Sequence, residues 1–225
     1  MEASVGARAE SVRRPGRPGA GSPPVPEVES ILLRGLETFA ELGYDRASAR
    51  ELARRLGVSH NFINDRYGSK AAFWRAAVDS AMAAQQARMP ELDSSADEAE
   101  QLRQFITGLY RTSVDMPNLG RIFVDEFSRD TERLDHIFEN YITPTLQTVM
   151  PSIERLIESG RMAPVPMDVL FFAIIGPIGG MVEQPLARRL GRPDGASSEQ
   201  LAATASALAT LVLNGLLATG SEVCR

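Results

Sequence analysis

Between Ser59 and Lys70 the chain reads SHNFINDRYGSK, in which His60, Asn61, Asn64 and Arg66 are hydrogen-bonding side chains set at helical spacing around an apolar pair, Phe62 and Ile63. Amides, imidazoles and guanidinium groups pair with base edges and phosphates, whereas an ordinary solvated helix face is built from lysine and glutamate. Just beyond, Gly68, Ser69 and Lys70 open another helix. Free backbone amides, the positive end of a helix dipole and an ammonium group therefore converge where a phosphate oxygen would sit. Tyr67 has two roles open to it, a hydroxyl on the same surface or a ring in the core behind it. The chemistry on offer is noncovalent recognition of a polyanion.

Such side chains need a rigid support, and the preceding residues supply one. Ser48 stands three before Glu51, the spacing of a capping box in which the serine accepts an amide at the helix start and the glutamate reaches back. Ser48 thereby also lies beside the contact surface. Leu52, Ala53 and Leu56 share one face of this short helix, and Gly57 ends it by taking a positive φ cheaply. Ser59 is placed to cap a second helix, and the small Ala53 lets the two cross closely. This is helix-turn-helix spacing. A first helix is expected over Glu27 to Leu42, and a fourth from Ser69 to about Met89, ended by Pro90.

The run from Gly57 to Lys70, closing in Tyr67, Gly68, Ser69, Lys70 and then Phe73, resembles the TetR/AcrR family of transcriptional repressors, as does the helix before Gly43 and Tyr44. The specific match covers Ile31 to Trp74. The resemblance implies an all-α chain: an N-terminal three-helix helix-turn-helix domain over residues 27–72 and a larger helical domain over 73–225 that binds a small molecule and dimerises. The expected partners are a palindromic double-stranded DNA operator, a small-molecule effector and a second copy of the chain, with no cofactor and no membrane. Carried over by position, Ser59, His60, Asn61, Asn64, Tyr67 and Lys70 are the expected DNA contacts, with Ser48 and Arg66 beside them. The chain departs from the family pattern at Phe62 and Asn64, where similar proteins place a small residue or threonine and then a phosphate-binding tyrosine. Asn64 is suited instead to adenine or a phosphate. Asp65 is unwelcome near a polyanion and receives no contact.

Charge distribution agrees with this orientation although the chain as a whole is acidic, at −5. Residues 1–76 carry 12 Lys and Arg against 9 Asp and Glu, whereas residues 77–225 carry 12 against 20. The first part is attracted to phosphates and the remainder repelled. Residues 1–26 are rich in Pro, Gly, Ser, Ala and Arg without periodicity and read as a disordered arm. Its Arg14 and Arg17 are candidates for a narrow A·T-rich minor groove, the plain alternative being a charged tail. Cys224 is the single cysteine, so no intrachain disulfide forms and a reducing cytoplasmic setting is the simplest. The longest apolar run, Val169 to Val182, is too short and too broken by Gly176, Pro177, Gly179 and Gly180 to span a bilayer.

The remaining chain is helical by period. Leu102, Phe105, Ile106, Leu109 and Tyr110 share one face; Pro117 interrupts before a helix to Phe127; Pro144 and Pro151 should kink or divide Leu134 to Glu158, which Gly160 closes. A single helix is expected from Pro166 to about Leu190, apolar almost all round, and a last one capped by Ser197 with Gln200. By the family's architecture these two late helices pair with their copies, placing two recognition helices roughly 34–36 Å apart. Phe105, Leu109, Phe123, Phe127, Ile137, Tyr141, Phe171 and Ile175 are candidate walls for an apolar ligand, with His136 and Asn140 as polar exceptions. The rival reading is that they fill the core of a DNA-binding regulator that takes no small molecule, acting constitutively or under a protein partner. Catalysis is disfavoured: there are two histidines, 76 positions apart, no paired cysteines and no phosphate-cradling glycine loop, and Asp125 and Glu126 diverge on a helix.

Overall fold

A computed structural model describes residues 27–182 and 184–217; the arm with Arg14 and Arg17, and the end with Cys224, lie outside the described residues. Among the described residues every regular element is helical, and the single β interaction is an antiparallel bridge between Met162 and Leu217. The all-α expectation is met. The amino-terminal elements are α1 (Val28–Leu42), α2 (Ala49–Leu56), α3 (Phe62–Tyr67) and α4 (Lys70–Gln86). Helix α1 buries Ile31, Gly35, Leu36 and Phe39, one stripe at three- to four-residue spacing, and stops at Gly43 with φ 76°. Gly35 is required there: a Cβ would stand 2.5 Å from Cζ of Phe73, so only glycine lets α1 and α4 cross this closely.

Helix α4 is shorter than expected, ending at Gln86. The expected boundary at residues 72 and 73 falls inside it. Phe73, Trp74, Ala77, Val78 and Met82 belong to the same core as Leu36, Leu52 and Ile63, and that core extends to Leu119, Ile122 and Ile137. The amino-terminal unit is therefore packed onto the larger one through α4.

The larger part comprises α5 (Glu98–Asp115), α6 (Pro117–Glu126), α7 (Glu132–Ile137), a π-helical turn (Phe138–Ile142), α8 (Thr143–Glu158), α9 (Met167–Val182), α10 (Gln184–Arg189) and α11 (Ser198–Leu216). A second core joins α5, α8, α9 and α11 through residues such as Ile106, Ile153, Ile174 and Leu213. Tyr110, fully buried, donates its hydroxyl to the Ile174 carbonyl at 2.7 Å, and burial pushes its pKa up to about 12.

The expected division of Leu134 to Glu158 falls just before Pro144, where the π-helical turn Phe138–Ile142 separates α7 from α8 and Pro144 stands in the first turn of α8. Pro151 does not divide α8: it faces solvent on the same side as Gln147, whose carbonyl a proline cannot serve. The helix expected from Pro166 to about Leu190 is described as α9 and α10, which flank residue 183, a position outside the described residues. Pro185 has no N–H to offer the Met181 carbonyl, and Arg192 donates to that carbonyl from Nη1 at 2.8 Å in its place. The last helix begins as expected, with a complete capping box between Ser197 and Gln200. Val169 and Phe172 of α9 and Leu211 of α11 are 51%, 57% and 70% exposed, an apolar surface that the described residues leave uncovered.

Candidate nucleic-acid interface and ligand cavity

Ser48 Oγ accepts the Glu51 amide at 3.2 Å, but only this half of the capping box forms. The Glu51 carboxylate turns away to Arg54, at 2.9 and 2.7 Å, and to Arg55 at 2.8 Å, bonds that pull its pKa down to about 2. Arg55 also pairs with Glu41, which ties α2 to α1. Gly57 takes φ 70°, and the Val58 amide closes the helix on the Ala53 carbonyl at 3.1 Å. Ser59 is not the cap of the next helix, contrary to expectation. Its carbonyl, not its hydroxyl, takes the Phe62 amide at 3.0 Å, and α3 begins at Phe62 with Asn61 before it and no side-chain cap. The turn thus occupies residues that a longer recognition helix would have used.

His60, Asn61, Asn64 and Arg66 are exposed, while Ile63 beneath them is fully buried. His60 Nδ1 lies 3.2 Å from Asn61 Oδ1, so these two side chains organise each other. Arg50, exposed two residues after Ser48, adds a guanidinium to the start of α2 that the motif alone did not single out. Asp65 is exposed and joins none of the ion pairs among the described residues. Tyr67 takes the core role: its ring centroid is 4.9 Å from that of Phe73, and its hydroxyl is buried without a hydrogen-bond partner among the described residues.

Lys70 is turned toward the corner between α1 and α2. Its Nζ donates to the Tyr44 carbonyl at 2.9 Å and lies 4.0 Å from the centre of the Tyr44 ring, and burial lowers its pKa. On the other side, Arg133 stacks on the same ring at 3.9 Å while its Nε bonds Glu126 at 2.7 Å. Arg129 joins Asp45 at 3.0 Å and Asp125 at 3.2 Å. The corner that supports α2 is thus clipped to α6 and α7. Lys70→Ala is expected to lower the melting temperature by several degrees, through loss of about 1–2 kcal/mol of charge-assisted hydrogen bonding and cation–π contact, besides weakening all DNA alike. A thermal melt unchanged from the parent chain would show the Tyr44 contact to be incidental.

A cavity of about 440 Å³ lies between the end of α4 and helices α5, α6, α8 and α9. Seven of the expected ligand residues line it: Phe105, Leu109, Phe123, Phe127, Tyr141, Phe171 and Ile175. His136 and Ile137 do not. Ile137 is fully buried in the first core, and His136 Nε2 meets Asp79 Oδ1 of α4 at 2.6 Å, with Asn140 donating to the His136 carbonyl at 2.8 Å. The π-helical turn explains the split. It changes the helical phase after Ile137, so residues 136 and 137 face α4 while Tyr141 and Ile142 face the cavity. Tyr141 nonetheless donates to the same Asp79 oxygen at 2.6 Å, linking the cavity wall to α4, and burial first, then that bond, raise its pKa. Asp79, Gln85, Glu126 and Arg133 carry no sequence signal of their own, because each finds its partner 7 to 62 residues away. Among the described residues no cluster of potential metal ligands exists, and no helix is long and apolar enough to cross a membrane.

A paired α2–α3 unit with an exposed polar rim, mounted on a helical body that contains an apolar cavity, defines a helix-turn-helix regulator with a second, ligand-sized compartment. Two family models match accordingly: bacterial regulatory proteins of the tetR family over residues 31–77, and the C-terminal region of YcdC-like proteins over residues 78–219. The chain belongs to the TetR family of DNA-binding transcriptional regulators. Its fold is shared by the ketosteroid transcriptional regulator KstR2 of Mycobacterium tuberculosis (TM-score 0.66, 19% identity, covering 89% of this chain and 100% of that one). It is shared also by the regulator PfmR from Thermus thermophilus (TM-score 0.61, 22% identity, 83% of this chain and 95% of that one). A third, FadR from Bacillus subtilis, solved in complex with stearoyl-CoA, aligns with TM-score 0.59 at 18% identity over 83% of this chain and 98% of that one. No curated protein sequence matches the chain.

Proposed function

We propose that this protein is a cytoplasmic homodimeric repressor that binds a two-fold symmetric operator through residues 27–72 and is released when a small, largely apolar ligand enters residues 73–225. The observation that carries this reading is α4: its first turn adjoins α3 and holds Tyr44 through Lys70, while its last turns place Met82 and Gln85 in the cavity wall. A ligand that favours one position of α4 must be linked reciprocally to operator affinity. Arg14 and Arg17 extend the contact into the minor groove, and the exposed apolar residues of α9 and α11 meet a second copy. A ketosteroid regulator and a regulator in complex with stearoyl-CoA among the structural neighbours are compatible with an effector whose buried part is apolar.

Selection from a random DNA pool tests the reading directly. It should enrich a palindrome with half-sites about 10 base pairs apart, centre to centre, or a multiple of that. Saturating dodecan-1-ol, a minimal apolar probe, should then weaken operator binding, and operator should weaken alcohol binding by the same factor. Operator affinity unmoved by the bound alcohol would remove ligand control from the model.

A further inference from the structure

Among the described residues the cavity wall contains 27, and not one is Asp, Glu, Lys, Arg or His. Its polar groups are Gln85, Ser113, Ser128, Tyr141 and Thr145. Most of their protons are already committed. Ser113 Oγ donates to the Leu109 carbonyl at 2.7 Å, Ser128 Oγ to the Asp125 carbonyl at 2.9 Å, Tyr141 to Asp79 at 2.6 Å, and Gln85 Nε2 to Thr112 Oγ1 at 3.3 Å. The donors left are the Thr145 hydroxyl and the second N–H of Gln85 Nε2, both neutral, and the other oxygens present lone pairs to the cavity. Behind Tyr141 stands the Asp79 carboxylate, a negative charge. Where the wall reaches the surface, the exposed side chains are Val124, Met167 and Phe172, which are apolar, and Ser128, which is neutral.

A carboxylate, phosphate or sulfate taken into such a space loses its hydration and meets no cation and few neutral donors, which costs far more than burying the same chain with a hydroxyl at its end. Resting on the ligand reading above, we propose that the cavity is selective for electrically neutral molecules: an apolar body whose polar group is a hydrogen-bond donor, such as an alcohol or an unionised amide, and never a free acid or other anion. A hydroxyl donating to Tyr141 Oη or Gln85 Oε1 satisfies both sides.

Calorimetric titration of the full chain at pH 8 with dodecan-1-ol and with dodecanoate isolates the charge, since the two probes share one alkyl chain. The alcohol is expected to bind at least about 100-fold more tightly than the carboxylate. Ile175→Trp, which narrows the cavity, should weaken alcohol binding at least several-fold and so assign it to this site. Dodecanoate binding within a few-fold of the alcohol overturns the selectivity and leaves the ligand reading standing. Failure of both probes to bind overturns the ligand reading itself and this inference with it.

Discussion

Glu126→Ala should lower the melting temperature of the protein by about 10 °C. Glu126 is 2% exposed and accepts Arg133 Nε at 2.7 Å and Thr131 Oγ1 at 3.0 Å, while the guanidinium it holds is stacked on Tyr44. Removing one partner leaves the Arg133 charge uncompensated in a half-closed space, a loss of about 3–5 kcal/mol where such pairs have been broken. In a chain of this size each kcal/mol corresponds to about 2–4 °C. Arg103→Gln, which breaks an exposed pair with Glu100, should shift the melt by no more than about 2 °C and serves as the control. If the two variants melt alike, the Glu126 pair does not hold α6 to the α1–α2 corner. The same variant should loosen Tyr44 and with it the support of α2, so operator affinity should fall even where the protein remains folded.

Asn61→Ala and Asn64→Ala should each cost about 1–3 kcal/mol on the selected operator, roughly 5- to 150-fold in affinity, and leave binding to random DNA unchanged. Both side chains are exposed on the surface of α3 and its leading turn, above the fully buried Ile63, and an amide can pair with adenine through donor and acceptor together. The measurement is a pair of binding isotherms, specific and random, at one salt concentration. An equal loss on both DNAs would assign the asparagines to the phosphate backbone. Their loss pattern contrasts with that of Lys70, which should be uniform across sequences.

The short-range features of this protein were legible in its residues because their partners lie three or four positions away. Ser48 and Glu51, Gly57, Ser69 with Ala72, and Ser197 with Gln200 each set a helix end by local hydrogen bonding or backbone freedom, and the structure keeps those ends. The polar rim of His60, Asn61, Asn64 and Arg66 followed from period alone, since burying Ile63 leaves those positions outside. Seven of the nine residues expected to wall a ligand space line the cavity for the same reason.

Where a side chain chose between several partners, local spacing failed. Glu51 had the geometry to close a capping box, yet two arginines on the next turn offered a charged bond in place of a neutral one. Lys70 sat where a phosphate would be met, yet the Tyr44 carbonyl and ring, 26 residues earlier, hold it. His136 and Tyr141, both polar and close in sequence, were separated by a π-helical turn and reunited on Asp79, 57 and 62 residues away.

The amino-acid order by itself determined the helices, the exposed recognition edge and the apolar character of the later segments, because periodicity and capping are properties of neighbours along the chain. Only the tertiary structure decided that the corner at Tyr44 is clipped by Lys70 and Arg133, that Glu126 is buried, and that the described cavity wall holds no ionised group. Those outcomes depend on which helices cross, and the desolvation and pairing of a charge are set by everything packed around it.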